Sequence, residues 1–483
     1  MFTPILLSTL MVPQAAAALF DSDPCGRANP RVGALCAFRK PLPTAVEYKM
    51  MAEQGVVLDP NAIAQIAPLP DTFLLHSNPG ATQILMLDFD GHQKGGYKSW
   101  DVDGDPETFS DDERIVIQQT WQSVAEDFAP FTIDVTTQEP PIGWVGKRAV
   151  VDGSLRYDYS WAYVGSWGDA SDNNADPAYV YPGDNTWLWI ADSVAHEVGH
   201  TLGLGHDGNP DEKYYPGHGE GVTQWCPIMG WGAWSLNVWS KGDYFDATNS
   251  QDDLAKITSV PGVGYRNDDH GNTVPNATAI SLSDTGLELS VEGIISENED
   301  IDFFAFTITD ESLINISINE NVVIGASNLD VYAILYNADG SHNQISNQTH
   351  KISASFDTLL SPGDYYLSIE GTGWGDPMNN PPMGYSDYGI LGHYSILASA
   401  MSNGPSPGVP TRCPTMTPSV LPSESYVPSL RPTSLPSQSP TESAMPAKYC
   451  LPAGAVEGGC DDSTECCSGL GNCKGKPGNQ QCK

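Results

Sequence analysis

Apolar and polar positions follow two different rhythms along this chain, and the change between them divides it. Ile84 to Phe89 is an apolar run of strand length, closed by Asp90 and Gly91. Ser110, with Glu113 three residues on, forms a capping box, and Ile117, Trp121, Val124 and Phe128 recur at helical spacing behind it. Phe131, Ile133 and Val135 then alternate as a half-buried strand does. A further helix is predicted around Asp252 to Ile257, with Ser250 as its cap. From Asn272 to about Ala400 the helical rhythm disappears. Short alternating runs replace it, at Phe303 to Ile308, Val331 to Tyr336 and Tyr365 to Ile369, each beside Asp, Gly or Asn, which predicts a small β-sandwich. Residues 401–447 repeat proline among Ser and Thr, a composition that buries no core and reads as an extended spacer open to O-glycosylation.

The ends of the chain carry a different signal. Ile5 to Val12 is a short apolar run followed by Ala15 to Ala18, the pattern of a signal peptide over residues 1–18, although no positive charge precedes it. Secretion is therefore expected. Of the 10 cysteines, six lie between Cys450 and Cys482, which suits an oxidising compartment. Asn276, Asn315 and Asn347 head glycosylation sequons that fit the same address. Residues 19–75 show weak periodicity and, lying between the signal segment and the first packed region, read as a propeptide. Within it, Cys25 and Cys36 suit a disulfide with one another.

Composition narrows the partners. Lys and Arg number 22 against 60 Asp and Glu, a formal net charge of −38 over 483 residues. Such a surface repels phosphate backbones and anionic lipid, so nucleic acid and membrane surfaces are excluded as partners, while it favours solubility and Ca²⁺. No stretch has the 18 or so apolar residues a membrane span requires. Asp101, Asp103 and Asp105 invite a Ca²⁺ reading, but Gly104 and Pro106 fall out of register with an EF-hand loop, leaving a solvated acidic loop as the other reading.

The chemistry concentrates at His196 to His206, which reads HEVGHTLGLGH. Residues four apart share a helix face, so His196 and His200 can both reach one Zn²⁺ at roughly 2.0–2.1 Å, with Glu197 beside it. Gly203 can take positive φ, end the helix and return the chain so that His206 becomes a third ligand. A catalytic zinc keeps its fourth position for water, and Glu197 is then the general base. His218 stands in a Gly-rich loop without helical register and is a weaker candidate, as ligand or as substrate contact.

HExxHxxGxxH resembles the signature of the metzincin zinc metalloendopeptidases. The turn Cys226-Pro227-Ile228-Met229-Gly230 matches the methionine turn those enzymes place beneath the metal, and Asp207 after the third histidine resembles the reprolysin or adamalysin branch. Trp231, two residues past the methionine, offers no ligand lone pair, so no fifth protein ligand is expected. The resemblance implies an α/β (α+β) catalytic domain over 76–262, organised on a zinc-binding helix, that hydrolyses internal peptide bonds. The DPCG around Cys25 is faintly similar to the zinc-blocking cysteine of matrixin propeptides, so both readings of that cysteine stand.

Two further resemblances concern the remainder. Asp300, Asp302 and Phe304, then Pro362 to Tyr366, are similar to the pre-peptidase C-terminal domain, implying an accessory all-β sandwich over 270–400; Asp330, Asp376 and Asp387 are candidate Ca²⁺ ligands there, or turn residues that need no ion. The spacing in 448–483 resembles the cystine-knot miniproteins, a disulfide-rich module. That resemblance alone implies Cys450 with Cys467, Cys460 with Cys473 and Cys466 with Cys482. Polysaccharide or extracellular matrix is a candidate partner for these modules. The alternatives to a peptidase are a matrix or adhesion protein on an inactive protease fold, and a delivery vehicle for a binding or inhibitory tail.

Overall fold

The computed structural model describes residues 26–29, 33–38 and 66–402, apart from 93–94, 169–176, 184, 233–235, 283–288, 321–326 and 350. The signal segment 1–18, most of 19–75 with Cys25, nearly all of the spacer 401–447 with Cys413, and the cysteine-rich segment 448–483 with Cys450, Cys460, Cys466, Cys467, Cys473 and Cys482 lie outside the described residues.

Strands β1 (Gly26–Asn29), β2 (Gly33–Phe38), β3 (Gln83–Asp88), β4 (Ile133–Thr136), β5 (Val145–Val151), β6 (Ser160–Tyr163) and β7 (Ala178–Val180) form one seven-stranded sheet in the order β1-β2-β6-β7-β5-β3-β4. Pairing of β3 with β4 and β5, and of β5 with β7, is parallel. Helix α1 (Asp111–Asp127) connects β3 to β4, and α2 (Trp187–Thr201) follows β7. The capping box is present: Glu113 N–H donates to Ser110 Oγ, and Ser110 N–H donates to Glu113 Oε2 at 2.8 Å. Strands β8 (Trp225–Pro227) and β9 (Leu236–Val238) pair in parallel, and α3 (Asp253–Thr258) closes this half.

The cap of α3 is Asp252, not Ser250. Its carboxylate accepts from Ala255 N–H at 2.9 Å, satisfying an end donor of the helix that a serine two residues earlier would not reach.

Beyond residue 272 every long element is a strand. The short β10 (Thr278–Ala279) and then β11 (Leu289–Ile295), β12 (Asp302–Ile308), β13 (Ser312–Glu320), β14 (Val331–Asn337), β15 (His342–Ser346), β16 (Ala354–Leu360), β17 (Gly363–Gly371), β18 (Trp374–Asp376), β19 (Met383–Tyr385) and β20 (Gly392–Ser402) follow. They build a five-stranded sheet, β10-β12-β17-β14-β15, a four-stranded sheet, β11-β20-β13-β16, and the hairpin β18-β19. In β12, Phe304, Phe306 and Ile308 are buried while Thr307 is exposed, the period of two that the sequence shows.

The expectation of an α/β (α+β) metzincin-type fold is corrected by this architecture. The structure is mostly β-sheet, with about 16% helix. The physical reason is that helical spacing is confined to two longer stretches, residues 111–127 and 187–201, whereas strand-forming runs recur through both halves. Buried apolar side chains from Leu85 to Ala400 form one connected cluster, so the sheets on either side of residue 272 share a core. The described residues belong to one compact unit. Among the described residues no helix is long and apolar enough to cross a membrane.

Candidate metal centre

Helix α2 carries the first part of HEVGHTLGLGH on its buried face. It is capped by Thr186, whose hydroxyl accepts from Trp189 N–H, and His196, Glu197 and His200 are all fully buried. The helix stops after Thr201. Gly203 adopts φ +101° and its N–H donates to His200 O at 2.9 Å, the left-handed turn that reverses the chain. His206 thereby returns to α2, half-buried, with its ring 4.7 Å from that of His200 and 5.3 Å from that of His196, centroid to centroid.

One ring nitrogen from each of His196, His200 and His206 lies within 4.8 Å of the others, a group that could hold a metal ion. Two backbone contacts settle the tautomers. His196 Nδ1 is 2.9 Å from Ile228 O, and His200 Nδ1 is 2.9 Å from Leu204 O. A carbonyl only accepts, so each Nδ1 carries the proton and each neutral ring presents Nε2 as a lone pair. Tying the outer nitrogen to a carbonyl is how metal-ligating histidines are oriented. Burial lowers His200 to about 4 and holds His206 well below the usual histidine range, with His200 and Lys213 adding to the second effect. The imidazoles are thus kept neutral, as ligands must be.

Glu197 completes the group. Its carboxylate is fully buried, neither oxygen has a hydrogen-bond partner among the described residues, and burial raises its pKa well above the ordinary carboxylate value. A carboxylate in such a setting is costly unless it has a chemical task or a charge beside it.

Met229 lies beneath the helix, fully buried, in a turn closed by Gly230 N–H donating to Pro227 O at 2.9 Å. The turn is bolted to the site at both ends. Ile228 O accepts from His196 and Met229 O accepts from Asp207 N–H at 2.8 Å. Asp207 is itself buried, its Oδ1 accepting from Asn249 Nδ2 at 2.9 Å, and burial pushes its carboxyl up to about 7. Its role is to anchor the chain just past His206. Cys226 is buried next to the same turn, with its thiol directed at Tyr215 O and Pro227 O.

Other residues singled out in the sequence fall elsewhere. His218 does not join the three histidines: its Nε2–H donates to Gly384 O at 2.6 Å, so Nδ1 accepts from Tyr215 O–H at 2.8 Å. Around Asp101 and Asp103 the carboxylates are taken up locally, Asp101 Oδ1 accepting from the N–H groups of Asp103 and Gly104, and Glu113 from Val102 and Ser110. Asp330 accepts from Tyr385 O–H at 2.6 Å. Sequence reasoning missed Tyr214, whose ring lies 4.5 Å from that of His206. Burial, and then the charge of Glu197, raise its phenol. It stands in a loop without periodic signal, and nothing local to its sequence marks it.

No protein-family model matches the chain, and no curated protein matches it. Solved structures with weak structural similarity include the pre-peptidase C-terminal domain of collagenase from Bacillus anthracis, 15% identical, covering 28% of this chain and 100% of that one with a TM-score of 0.19. A mutant of PliG from Escherichia coli, a periplasmic inhibitor of g-type lysozyme, is 13% identical over 26% of this chain and 98% of its own, with a TM-score of 0.16. The Yersinia pseudotuberculosis-derived mitogen is 14% identical over 27% and 99%, with a TM-score of 0.17. Likenesses of this size carry no argument about function.

Proposed function

We propose that this chain is a secreted zinc-dependent metalloendopeptidase that hydrolyses internal peptide bonds of proteins. The observation that carries the reading is the convergence of His196, His200 and His206 around one point, with two outer nitrogens tied to carbonyls and the buried carboxylate of Glu197 alongside. Three nitrogen donors with a fourth position left to solvent is the ligand count of a catalytic rather than a structural zinc. The signature with its methionine turn resembles that of the metzincins, and the export signal in residues 1–18 accounts for secretion.

Bound zinc would supply Lewis-acid polarisation of a substrate carbonyl and bring the pKa of a water toward about 7. The chain's own residues do the rest. Ile228 and Leu204 carbonyls hold His196 and His200 in the tautomer that offers Nε2. Glu197, kept proton-avid by burial, accepts the proton of the attacking water and returns it to the leaving amine. Gly203 and Asp207 fix the loop that brings in His206.

The test is hydrolysis of casein by the mature protein, with and without a zinc chelator, beside Glu197→Ala. Wild type should carry one zinc and lose activity with it, and Glu197→Ala should keep the zinc and lose at least about 100-fold in rate, the size of a general-base contribution. Equal activity in wild type and variant, or active protein without zinc, would refute the proposal.

A further inference from the structure

One edge of the seven-stranded sheet is closed by strands that come from far away in the chain. Strand β6 meets β7 through a single register pair, Trp161 with Tyr179. On its other side β2 pairs with it antiparallel along its whole length, Leu35 with Tyr163, Cys36 with Ala162, Ala37 with Trp161 and Phe38 with Ser160. Strand β1 closes the hairpin, Gly26 facing Leu35 and Asn29 facing Gly33. Among the described residues β1 and β2 pair with no other strand. A two-stranded hairpin is marginal by itself in water, so this one depends on β6 as its template. Without residues 26–38, β6 is the edge of the sheet, a row of N–H and C=O groups open to any extended chain.

That edge lies beside the histidine centre. Strand β6 packs along α2, and the segment leaving it is bonded to the end of that helix: Gly165 N–H donates to His200 O and Trp167 N–H to Thr201 O, both at 2.9 Å. Ala162 is buried in the core that α2 shares. On the opposite face Trp161 and Tyr163 are half-buried, their rings 5.7 Å apart and nearly perpendicular, and Trp161 stacks on Tyr179 at 5.9 Å. These contacts belong to β6 itself, so the strand keeps its place when the hairpin leaves. A polypeptide extended along it is delivered to the neighbourhood of His200.

We propose that residues 26–38 silence the precursor by strand occupancy: β2 fills the edge of β6 along which an extended polypeptide would otherwise approach the three histidines. The inference rests on the peptidase reading and states how that same site is regulated. It needs no thiol at the metal, because the block is a row of backbone hydrogen bonds. Cutting the chain between residues 39 and 65 is then not activation by itself, since the hairpin stays paired until it leaves β6. With β6 as its one partner strand, the hairpin can be displaced as a unit.

The experiment uses the whole precursor and reads casein hydrolysis beside amide hydrogen exchange over Ser160 to Tyr163. Successive amides of a strand flanked on both sides point to opposite neighbours, so one of Ala37→Pro and Phe38→Pro deletes a hydrogen bond to β6. Wild-type precursor should be nearly silent, and that proline variant should hydrolyse casein at least about tenfold faster while β6 exchanges at least about tenfold faster. A synthetic peptide of residues 26–38 added in excess should restore both protection and silence, which separates release of the strand from misfolding, and a scrambled peptide should restore neither. Cys25→Ser should leave the precursor silent. A precursor as active as the matured protein, two proline variants as silent and as protected as wild type, or full activity from Cys25→Ser alone would overturn the inference. Exchange needs no turnover: faster exchange reversed by the peptide, in a protein inactive in every form, would refute the peptidase reading and leave the strand pairing standing.

Discussion

Gly199, inside the HEVGH helix, is the position where the geometry of the proposed centre makes its sharpest demand. Replacing a helical glycine by alanine ordinarily stabilises by about 1 kcal/mol. Here a Cβ would overlap Met229 Sδ, with Trp239 Cζ3 at 3.2 Å and Leu204 Cδ1 at 3.4 Å from the same point. A thioether at a surface would swing aside. Met229 is fully buried, and Trp239 and Leu204 flank the same space, so the helix must move or the turn must open. Overpacking of this kind costs about 1–3 kcal/mol. Taking the upper end, because the displaced atom has no exit, Gly199→Ala should be destabilised by about 2 kcal/mol net of its propensity gain. Urea unfolding followed by tryptophan fluorescence measures this. Met229→Ala alone should cost about 2–5 kcal/mol, and the double variant should lose at least about 1 kcal/mol less than the sum, since the new methyl fills part of the space vacated. A Gly199→Ala protein as stable as wild type, or strict additivity in the pair, would show that the methionine does not pack against α2 as described.

Two further predictions follow from buried and half-buried charge. Arg148 Nη1 lies 2.6 Å from Asp88 Oδ2, both side chains buried, so Arg148→Met should cost about 3–5 kcal/mol in urea unfolding by leaving Asp88 without a counter-charge. Burial raises Asp88 to about 7 although Arg148 pulls it back, so the variant's carboxyl rises further, and the deficit should narrow as pH falls from the alkaline side toward about 7 and stay level below it; a deficit independent of pH above 7 would contradict this. His76 sits 2.6 Å from Asp134 Oδ2 and 2.7 Å from Gln138 Oε1, and although burial alone would lower it, these two hydrogen bonds raise its pKa overall. A raised histidine stabilises fully below its unfolded value of about 6.5 and loses that contribution as pH rises through the folded value. His76→Gln should therefore cost less than about 1 kcal/mol at acidic pH, the ring being 31% exposed, and nothing at alkaline pH, which paired unfolding curves would show.

What could be read from the chain alone follows the range of the interactions involved. His196, His200 and Gly203 are legible because ligand spacing must match the helix period and the reversal after it needs positive φ. The strands of β12, β14 and β17 are legible for the same local reason, alternation of buried and exposed positions. The cap of α3 was misplaced because Ser250 and Asp252 are both good caps, and only the position of Ala255 N–H decides between them. The overall class is not legible in the sequence because the two helical stretches stand out, while strands as short as β7, β8 and β9 leave little periodic trace. Tyr214 and the carbonyls of Ile228 and Leu204 were invisible, since nothing in a loop's own residues says which ring it will face.

Composition changes near residue 272, yet several of the longest-range contacts cross that line and are buried. Glu126, at the end of α1, is 1% accessible and accepts from His393 Nδ1 at 2.6 Å and from His393 N–H at 3.1 Å. Its neighbour Asp127, whose carboxyl is raised by burial, accepts from Asn328 Nδ2 at 2.8 Å. Tyr388 O–H donates to Asp252 Oδ1 at 2.7 Å while its oxygen accepts from Leu254 N–H, so the N-terminus of α3 is completed by a residue of the other half. Closer to the histidines, Gly384 O of β19 accepts a hydrogen bond from His218 Nε2–H, in the loop that also carries Tyr214 over His206. A cut near residue 262 would thus strip buried Glu126 and Asp127 of their donors, each loss worth about 1–3 kcal/mol or more for a charged group, and would loosen the loop beside the three histidines. An accessory attachment would leave the histidine-bearing half complete in itself. These contacts instead make the β-rich half part of the wall that holds the site.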